Sequence, residues 1–481
     1  MSAKSFSRTL SVFFKDWWFI IIYLTVYFIV LNLVVLNRFW QFEAYYFDHG
    51  IYDQALWNLA HFRAPLIDHV ENHLLNQFGD HFDPTILLLI PLYWLTSSYT
   101  AILVVQNAII TASAGMLIFL GREIKNKLLL FSTIITYTLF VGLQNAVISN
   151  FHSEFIALLT LGLTFLALER KKWHWYWLFF ILTLGTKETF VIFGTVLGIY
   201  LILRKNYKQG ILTFTYSLAY YFISVKIIMP YLASRPFAYI PNQYSISTMV
   251  TQFFYPLVKT GTLALSFLSF SFLPLFSPLF LPVILQDYFI RFVISGTSAR
   301  LDLGLHYNAI AAFLLVYGSI LGIKKLMEMK VYRKIATFHA IGIIFLAIFL
   351  HLKLHGPLGL AYNPAFYAHT KDLNFLRTFL TKIPDKGLVM TLNNLAPQLT
   401  HTHNVMLLRD KYWQYLPQTI ALDLRPGQNP NNFWPLPEGE YKTLFERLKM
   451  DPNYTETEIT DTQVYFSKKE KVDPGWYTQY K

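Results

Sequence analysis

Asp48 and Asp53 lie close together in YYFDHGIYDQALWNLAHF, the stretch from Tyr45 to Phe62 that follows the first long apolar run of the chain. Carboxylates among aromatic side chains at the end of a greasy segment suit general-base chemistry, in which an ionised acid takes the proton from an attacking hydroxyl. Asp48 equally fits a helix N-cap that accepts a backbone N–H, and Asp53 a position facing water. Three further segments carry comparable groups. FHSE supplies His152 and Glu154, GTKET supplies Lys187 and Glu188, and LGLHY supplies His306 and Tyr307. A single ionisable residue at the end of a membrane span is inexpensive, because a long side chain reaches water. Several such clusters on one face read as the rim of a site.

Other residues give weaker signals. His69 and His73 in HVENHLLNQFGDHFDP are spaced to share one helix face as metal ligands. His401 and His403 in THTHN alternate as in a strand and are expected to face solvent. Lys226 fits either a phosphate contact or a cation reaching for the membrane surface. No Walker A, GxSxG, HExxH or GxGxxG pattern occurs, which argues against an ATP-driven pump and the common hydrolases.

The composition identifies what must position these groups. The chain has 481 residues, of which 54% are hydrophobic and 14% charged, against about 25% charged in a soluble protein. Runs of membrane-spanning length recur through residues 1–355. The first, Trp18–Val35, approaches the ~20 residues needed to cross the hydrocarbon. It follows Lys4, Arg8 and Lys15 with no small-residue cleavage site behind it, and so reads as a retained span. The absence of cysteine excludes disulfides, Fe–S clusters and thiol nucleophiles. The net charge of +12 falls largely in short loops, where Lys and Arg set membrane orientation. A nucleic-acid role would need a basic face on a soluble domain, which is not evident.

Threading by that basic bias gives a mainly α, polytopic, multi-pass cell-membrane protein of about eleven spans, with the N-terminus inside and the C-terminus outside. GREIKNK, ERKKWH, RKNYK and IKKLMEMKVYRK lie on the inner side. The first external loop, 37–83, holds two Arg against seven Asp or Glu. Within it, Ile51, Tyr52, Ala55, Leu56, Leu59 and Phe62 share one side of a helical wheel opposite Asp53, Gln54, Asn58 and His61, which predicts an amphipathic helix lying in the membrane interface. PYLASRPFAYIPNQYS forms a second external loop. TLALSFLSFSFLPLFSPLFLPVIL, interrupted by Pro274, Pro278 and Pro282, is expected to dip in and return as two short spans. From residue 356 to 481 the composition changes to that of a small extracytoplasmic α/β domain, with strands at KGLVMTL, NVMLL, TIALDL and TQVYFS and helices at KDLNFLRTFLTK and EYKTLFERLKM.

The order FDHGIYDQALWNLA, GDHFDPTILLLIPLYWL, FHSEFIALL, TKETFVI, FLPLFSPLFLPVI, LHYNAIAAFLL and TLNNLAPQLTHTHNVML resembles a bacterial and archaeal membrane-protein family of unknown function. That family is grouped with the GT-C superfamily of polyprenyl-phosphate-sugar-dependent glycosyltransferases. The resemblance implies a helical membrane domain with a catalytic acid in the first external loop, a polyprenyl-phosphate-linked sugar as donor, and a glycan, lipid or protein acceptor on the external face. It makes Asp48 the counterpart of the loop acid, with Asp53 as fallback. Lys187 would then bind the leaving phosphate with His306 and Tyr307 assisting. Glu188 belongs to the same substrate-facing rim. His152 and Glu154 would orient the acceptor or, with Asp48, hold a divalent metal ion. The same polar rim also suits a transporter or lipid flippase that binds substrate without chemistry, although few charges lie within spans and a single segment is proline-broken. A structural membrane protein with a carbohydrate-binding external domain is the third alternative.

Overall fold

The computed structural model describes residues 3–480 except 72, 240–243, 296, 385–386, 403 and 438, and describes side chains for residues 15–478 of that set. His403, and residues 240–243 of the expected second external loop, lie outside the described residues.

Most of the chain is helical. Helix α1 (Ala3–Trp40) contains the first apolar run, and a short helix α2 (Ile51–Ala60) follows it. Then come α3 (Ala101–Leu120), α4 (Glu154–Glu169), α5 (Phe190–Leu203) and α6 (Tyr207–Ile223). The second half holds α7 (Ile246–Phe254), α8 (Leu257–Ser269), α9 (Leu281–Phe289), α10 (Asn308–Leu326) and α11 (Lys330–Lys353). Among the described residues, five helices are long and apolar enough to cross a membrane, and six if Lys127–Leu139 and Val141–Ile148, bent by 43°, form one span. The count of eleven includes apolar segments that are helical but shorter, such as Trp173–Leu184 and α5.

Helix α10 is the axis of the bundle, because nearly all of its residues are buried. The proline-rich stretch breaks as expected into α8 and α9, separated by tight turns at Leu273–Phe276 and Pro278–Phe280. This break lies directly against α10. A Cβ on Gly322 would meet the Leu273 carbonyl oxygen at 2.2 Å, and Ser277 Oγ donates to the Gly318 carbonyl at 3.1 Å. Glycine there admits a non-helical backbone into the bundle, and its freed polar groups find partners within the protein.

The expectation for α2 is corrected. Asp53, Gln54 and Asn58 on its polar side are buried along with its apolar residues. The helix is therefore enclosed by protein on both sides, and periodicity alone could not distinguish a second protein surface from water. Helix α7, capped by Ser245, leaves an apolar stripe of Ile246, Val250 and Phe254 exposed. That pattern belongs to a helix lying along the membrane surface.

The C-terminal part folds around a five-stranded sheet of β3 (Leu388–Thr391), β4 (Asn404–Leu407), β5 (Thr419–Asp423), β6 (Tyr454–Glu458) and β7 (Gln463–Lys468), after the two-residue pair β1 (Leu66–Ile67) and β2 (Leu75–Asn76) in the first loop. The sheet order is β4-β3-β5-β7-β6; β3 is parallel to β4 and β5, while β7 is antiparallel to β5 and β6. The four expected strands are present, as are helices Asn374–Leu380 and Glu440–Met450. Strand β6 is the addition. It is a polar edge strand, YTETE, without a hydrophobic face to announce it. The core of this sheet takes in Phe42, Tyr46, Ile51, Ala55 and Ile67 from the first loop, so the loop and the C-terminal part share one interior.

The close approach at Gly322 gives a direct test. Gly322→Ala is expected to destabilise the protein by about 1–3 kcal/mol through overpacking, read as a lower thermal unfolding midpoint in detergent. Gly342→Ala, with open space around its Cβ, should leave the midpoint unchanged.

Candidate functional site

Asp48 is carried on a single π-turn, Tyr46–Gly50, leading into α2; such turns are frequent at functional sites. The turn is held from the C-terminal part. The Asn393 carbonyl accepts from the Tyr46 N–H at 2.9 Å, and Asn393 Oδ1 accepts from the Phe47 N–H at 3.2 Å. The other rim residues sit where helices begin. His152 and Glu154 are at the start of α4, Lys187 and Glu188 just before α5, and His306 and Tyr307 just before α10. The positive ends of three helices are thus directed at one place.

The tertiary structure brings most of the expected residues together. His152 Nε2 is 3.8 Å from Asp48 Oδ1. The rings of His152 and His306 stack at 3.4 Å between centroids, His306 lies 3.8 Å from the Tyr307 ring, and the Arg300 guanidinium lies over Tyr307 at 4.4 Å. Lys187 Nζ donates to Glu154 Oε1 at 2.7 Å. Glu188 turns away from this stack, accepting from His81 Nδ1 at 3.1 Å and from the Phe82 N–H at 3.2 Å.

The electrostatics divide these groups by role. Burial pushes the Asp48 carboxyl above its ordinary value, against the opposing pull of His152, a hydrogen bond from Asn150, and Lys187. Burial lowers both His152 and His306, the latter well below the ordinary value with His152 and Lys187 adding to the effect. Neutral imidazoles can stack face to face where two imidazolium ions would repel. For Glu154, burial favours the neutral acid, but Lys187 and His152 outweigh it and hold the carboxyl at about 2. Burial likewise opposes the Lys187 charge, and Glu154 and Glu188 restore it.

Asp53 is elsewhere. It is fully buried beneath the C-terminal part, with Oδ1 accepting from Tyr93 Oη at 2.5 Å and Oδ2 accepting from Thr400 Oγ1 at 2.5 Å. His401 Nε2 is 2.8 Å from Oδ2, and its ring is stacked between Trp57 at 4.1 Å and Tyr99 at 4.3 Å. Burial raises the Asp53 carboxyl, but His401, His49 and Thr400 overcome it and leave it below the ordinary value. His401 is accordingly an internal tie and not a solvent-facing residue. His69 and His73 share no helix: the chain between β1 and β2 is irregular, His73 is exposed, and His69 Nε2 contacts Asp80 Oδ2 at 3.2 Å. Lys226 sits exposed on a π-turn after α6.

Three cavities meet at this site. A 250 Å³ chamber is bounded by Asp48, Phe47, His152, Lys187 and Tyr307, and across from them by His69, Gln77, Asp80 and Tyr239. An apolar groove of 680 Å³ runs along Val191, Ile192, Val196, Leu218, Phe237 and Ile294. A smaller pouch of 60 Å³ lies behind Lys187 and His306 against Asp287 and Arg291. Arg300 borders all three. Sequence reasoning passed over it, although it is a cation in the LHY loop on a face otherwise poor in them. Arg291 fixes that loop by donating to the carbonyls of Arg300 at 2.9 Å and Asp302 at 2.7 Å.

A metal set can be drawn from His152, Glu154 and His306, whose ligand atoms lie within 4.8 Å of one another. This replaces Asp48 of the expected trio by His306. The buried atoms His152 Nε2 and Glu154 Oε2 have no hydrogen-bond partner, so the donor types fit a divalent ion. Lys187 already neutralises Glu154, and an ion there would share the carboxylate with an ammonium group.

A family described as predicted membrane protein, DUF2079, matches residues 38–455. The chain belongs to that family. Both the first loop with Asp48 and the Asn393–His401 loop that holds it fall inside the matched region of this DUF2079 protein. No curated protein matches it. Among solved structures it is similar to ArnT from Cupriavidus metallidurans, crystallised bound to undecaprenyl phosphate, with 11% identity, 95% of this chain and 98% of that chain covered, and a TM-score of 0.48.

The Asp53 tie is testable as structure. Asp53→Ala leaves Tyr93, Thr400 and His401 without their common partner and is expected to cost about 2–4 kcal/mol, seen as early thermal unfolding, while Asp48→Ala changes the midpoint much less. Since the Asp53 carboxyl is held below its ordinary 3.8, its contribution is present above that pH and is lost as pH falls through the folded-state value.

Proposed function

We propose that this DUF2079 protein transfers a sugar from a polyprenyl phosphate to an acceptor hydroxyl, with Asp48 as general base and Arg300 on the leaving phosphate. The carrying observation is the position of two charges that line the chamber without a charged partner. Asp48 faces the chamber without a Lys or Arg partner, and Arg300, with no ion pair, stands where that chamber opens on the apolar groove, both statements being of the described residues. A long prenyl chain suits the groove, its phosphate suits a guanidinium and nearby helix N-termini, and the sugar then falls beside Asp48.

In the reaction, the acceptor oxygen forms a bond to the anomeric carbon as the bond from that carbon to the phosphate oxygen breaks. The acceptor proton passes to Asp48, and the electron pair leaves with the polyprenyl phosphate. A carboxyl raised by burial is a stronger base than a solvated one. Lys187, secured on Glu154, adds positive potential behind the phosphate, and the stack of Tyr307, His306 and His152 lines the chamber alongside base and guanidinium. The acceptor (a glycan, lipid or protein) enters from the side formed by the first loop and the C-terminal part. The basic loops at the opposite ends of the helices support an external position for that side.

Asp48→Asn is expected to reduce transfer by about 10²–10⁴-fold while leaving binding of undecaprenyl phosphate intact, measured by product formation and lipid binding on the purified protein. Full activity in Asp48→Asn would overturn the assignment. Because protonated Asp48 cannot accept a proton, kcat/KM should rise with pH through a limb lying above the ordinary carboxylate value of 3.8. Arg300→Ala should instead weaken binding of the lipid phosphate.

A further inference from the structure

The walls of the chamber also bear on which sugar enters it. Its charged lining groups are few, and most are committed within the protein. Lys187 is paired with Glu154 at 2.7 Å. Asp80, almost fully buried, accepts from Tyr239 Oη at 2.9 Å and touches His69 at 3.2 Å and His81 at 3.7 Å. His81 is in turn held by Glu188 at 3.1 Å. This leaves Asp48 and Arg300, which the transfer reading assigns to the acceptor proton and the phosphate. A uronic acid would bring a carboxylate with no remaining cation to meet it, and an amino sugar would bring an ammonium group that competes for the base. Burying either unpaired charge is strongly unfavourable.

What the chamber does offer is uncharged. Gln77 is 1% exposed and lines the same chamber as Asp48. Its Nε2 donates to Asp83 Oδ2 at 3.2 Å, and its Oε1 has no hydrogen-bond partner. A buried amide oxygen left open needs a donor from whatever occupies the space. His152 Nε2 is likewise buried and without a hydrogen-bond partner. Phe47, packed on His69 at 5.0 Å and on Trp434 at 4.2 Å, adds an apolar ring of the kind that suits a sugar face.

Resting on the transfer reading, we propose that the transferred group is a single neutral sugar and that Gln77 is a specificity-determining residue accepting a hydrogen bond from one of its hydroxyls. The cavity volume of 250 Å³ suits one ring beside Asp48.

The test is binding of four probes to the full chain in lipid nanodiscs: undecaprenyl phosphate alone, and its glucosyl, glucuronyl and 4-amino-4-deoxyarabinosyl forms. The glucosyl form is expected to bind about tenfold or more tightly than either charged form. Gln77→Met, which keeps the side-chain length, should weaken the glucosyl form about five- to tenfold while leaving bare undecaprenyl phosphate unchanged. Equal weakening of both would mark Gln77 as merely structural and overturn its role. Equal or tighter binding of a charged sugar by the wild-type protein overturns the neutral-sugar inference alone, and does so even if Gln77→Met fails to fold. If bare undecaprenyl phosphate does not bind, or binds independently of Arg300, the transfer reading falls and this inference with it.

Discussion

The hold of the Asn393–His401 loop on the first loop fixes the geometry on which the rest of the site depends. Asn393 grips the backbone at Tyr46 and Phe47, Thr400 and His401 grip Asp53, and Asp68 accepts from the Leu407 N–H at 2.7 Å while pairing with Arg409. A π-turn and a ten-residue helix would be marginal alone, since short helices draw their stability from packing. Here they are clamped at several points in a dry interior, where each hydrogen bond is costly to leave unmade. The turn carrying Asp48 is thereby held at one distance from His152 and the α4 start.

A second constraint is the pairing of buried charge. Glu154 with Lys187, Glu188 with His81, and Asp423 with Arg425 at 2.8 Å all spend their charges internally, as buried ions must. Among the described residues, the chamber itself is bordered by a carboxylate and a guanidinium, Asp48 and Arg300, that have no Lys, Arg, Asp or Glu partner. The positive ends of α4, α5 and α10 favour an anion close by, while the neutral His152–His306 stack adds bulk without adding charge. The unpaired positive charge of the chamber is therefore that of Arg300.

Close approach of backbones shapes the helical frame beside the site. Glycines at 318 and 322 let the proline-broken segment press against α10, and Arg291, at the end of α9, ties down the loop that carries Arg300. The α9–Arg291 segment also forms one edge of the apolar groove through Ile290 and Ile294, so the groove and the loop that carries Arg300 are held by the same segment.

The sequence by itself determined the membrane-spanning character, the helical segments with their basic loops, the proline break, four of the five strands of the C-terminal sheet, and the convergence of Asp48 with His152, Glu154, Lys187, His306 and Tyr307. Those features follow from local composition and periodicity, or from polar residues placed at the ends of apolar runs. Only the tertiary structure decided that Asp53 and His401 are partners in an internal tie, that α2 is covered on its polar side, that Arg300 and Gln77 face the chamber, and that α7 leaves an apolar stripe exposed. Each of these depends on contacts between segments hundreds of residues apart. A hydrophobic pattern records that a face is polar but not whether water or another part of the chain satisfies it, and so Asp48 and Asp53 read alike in the sequence although one is open to a chamber and the other is sealed.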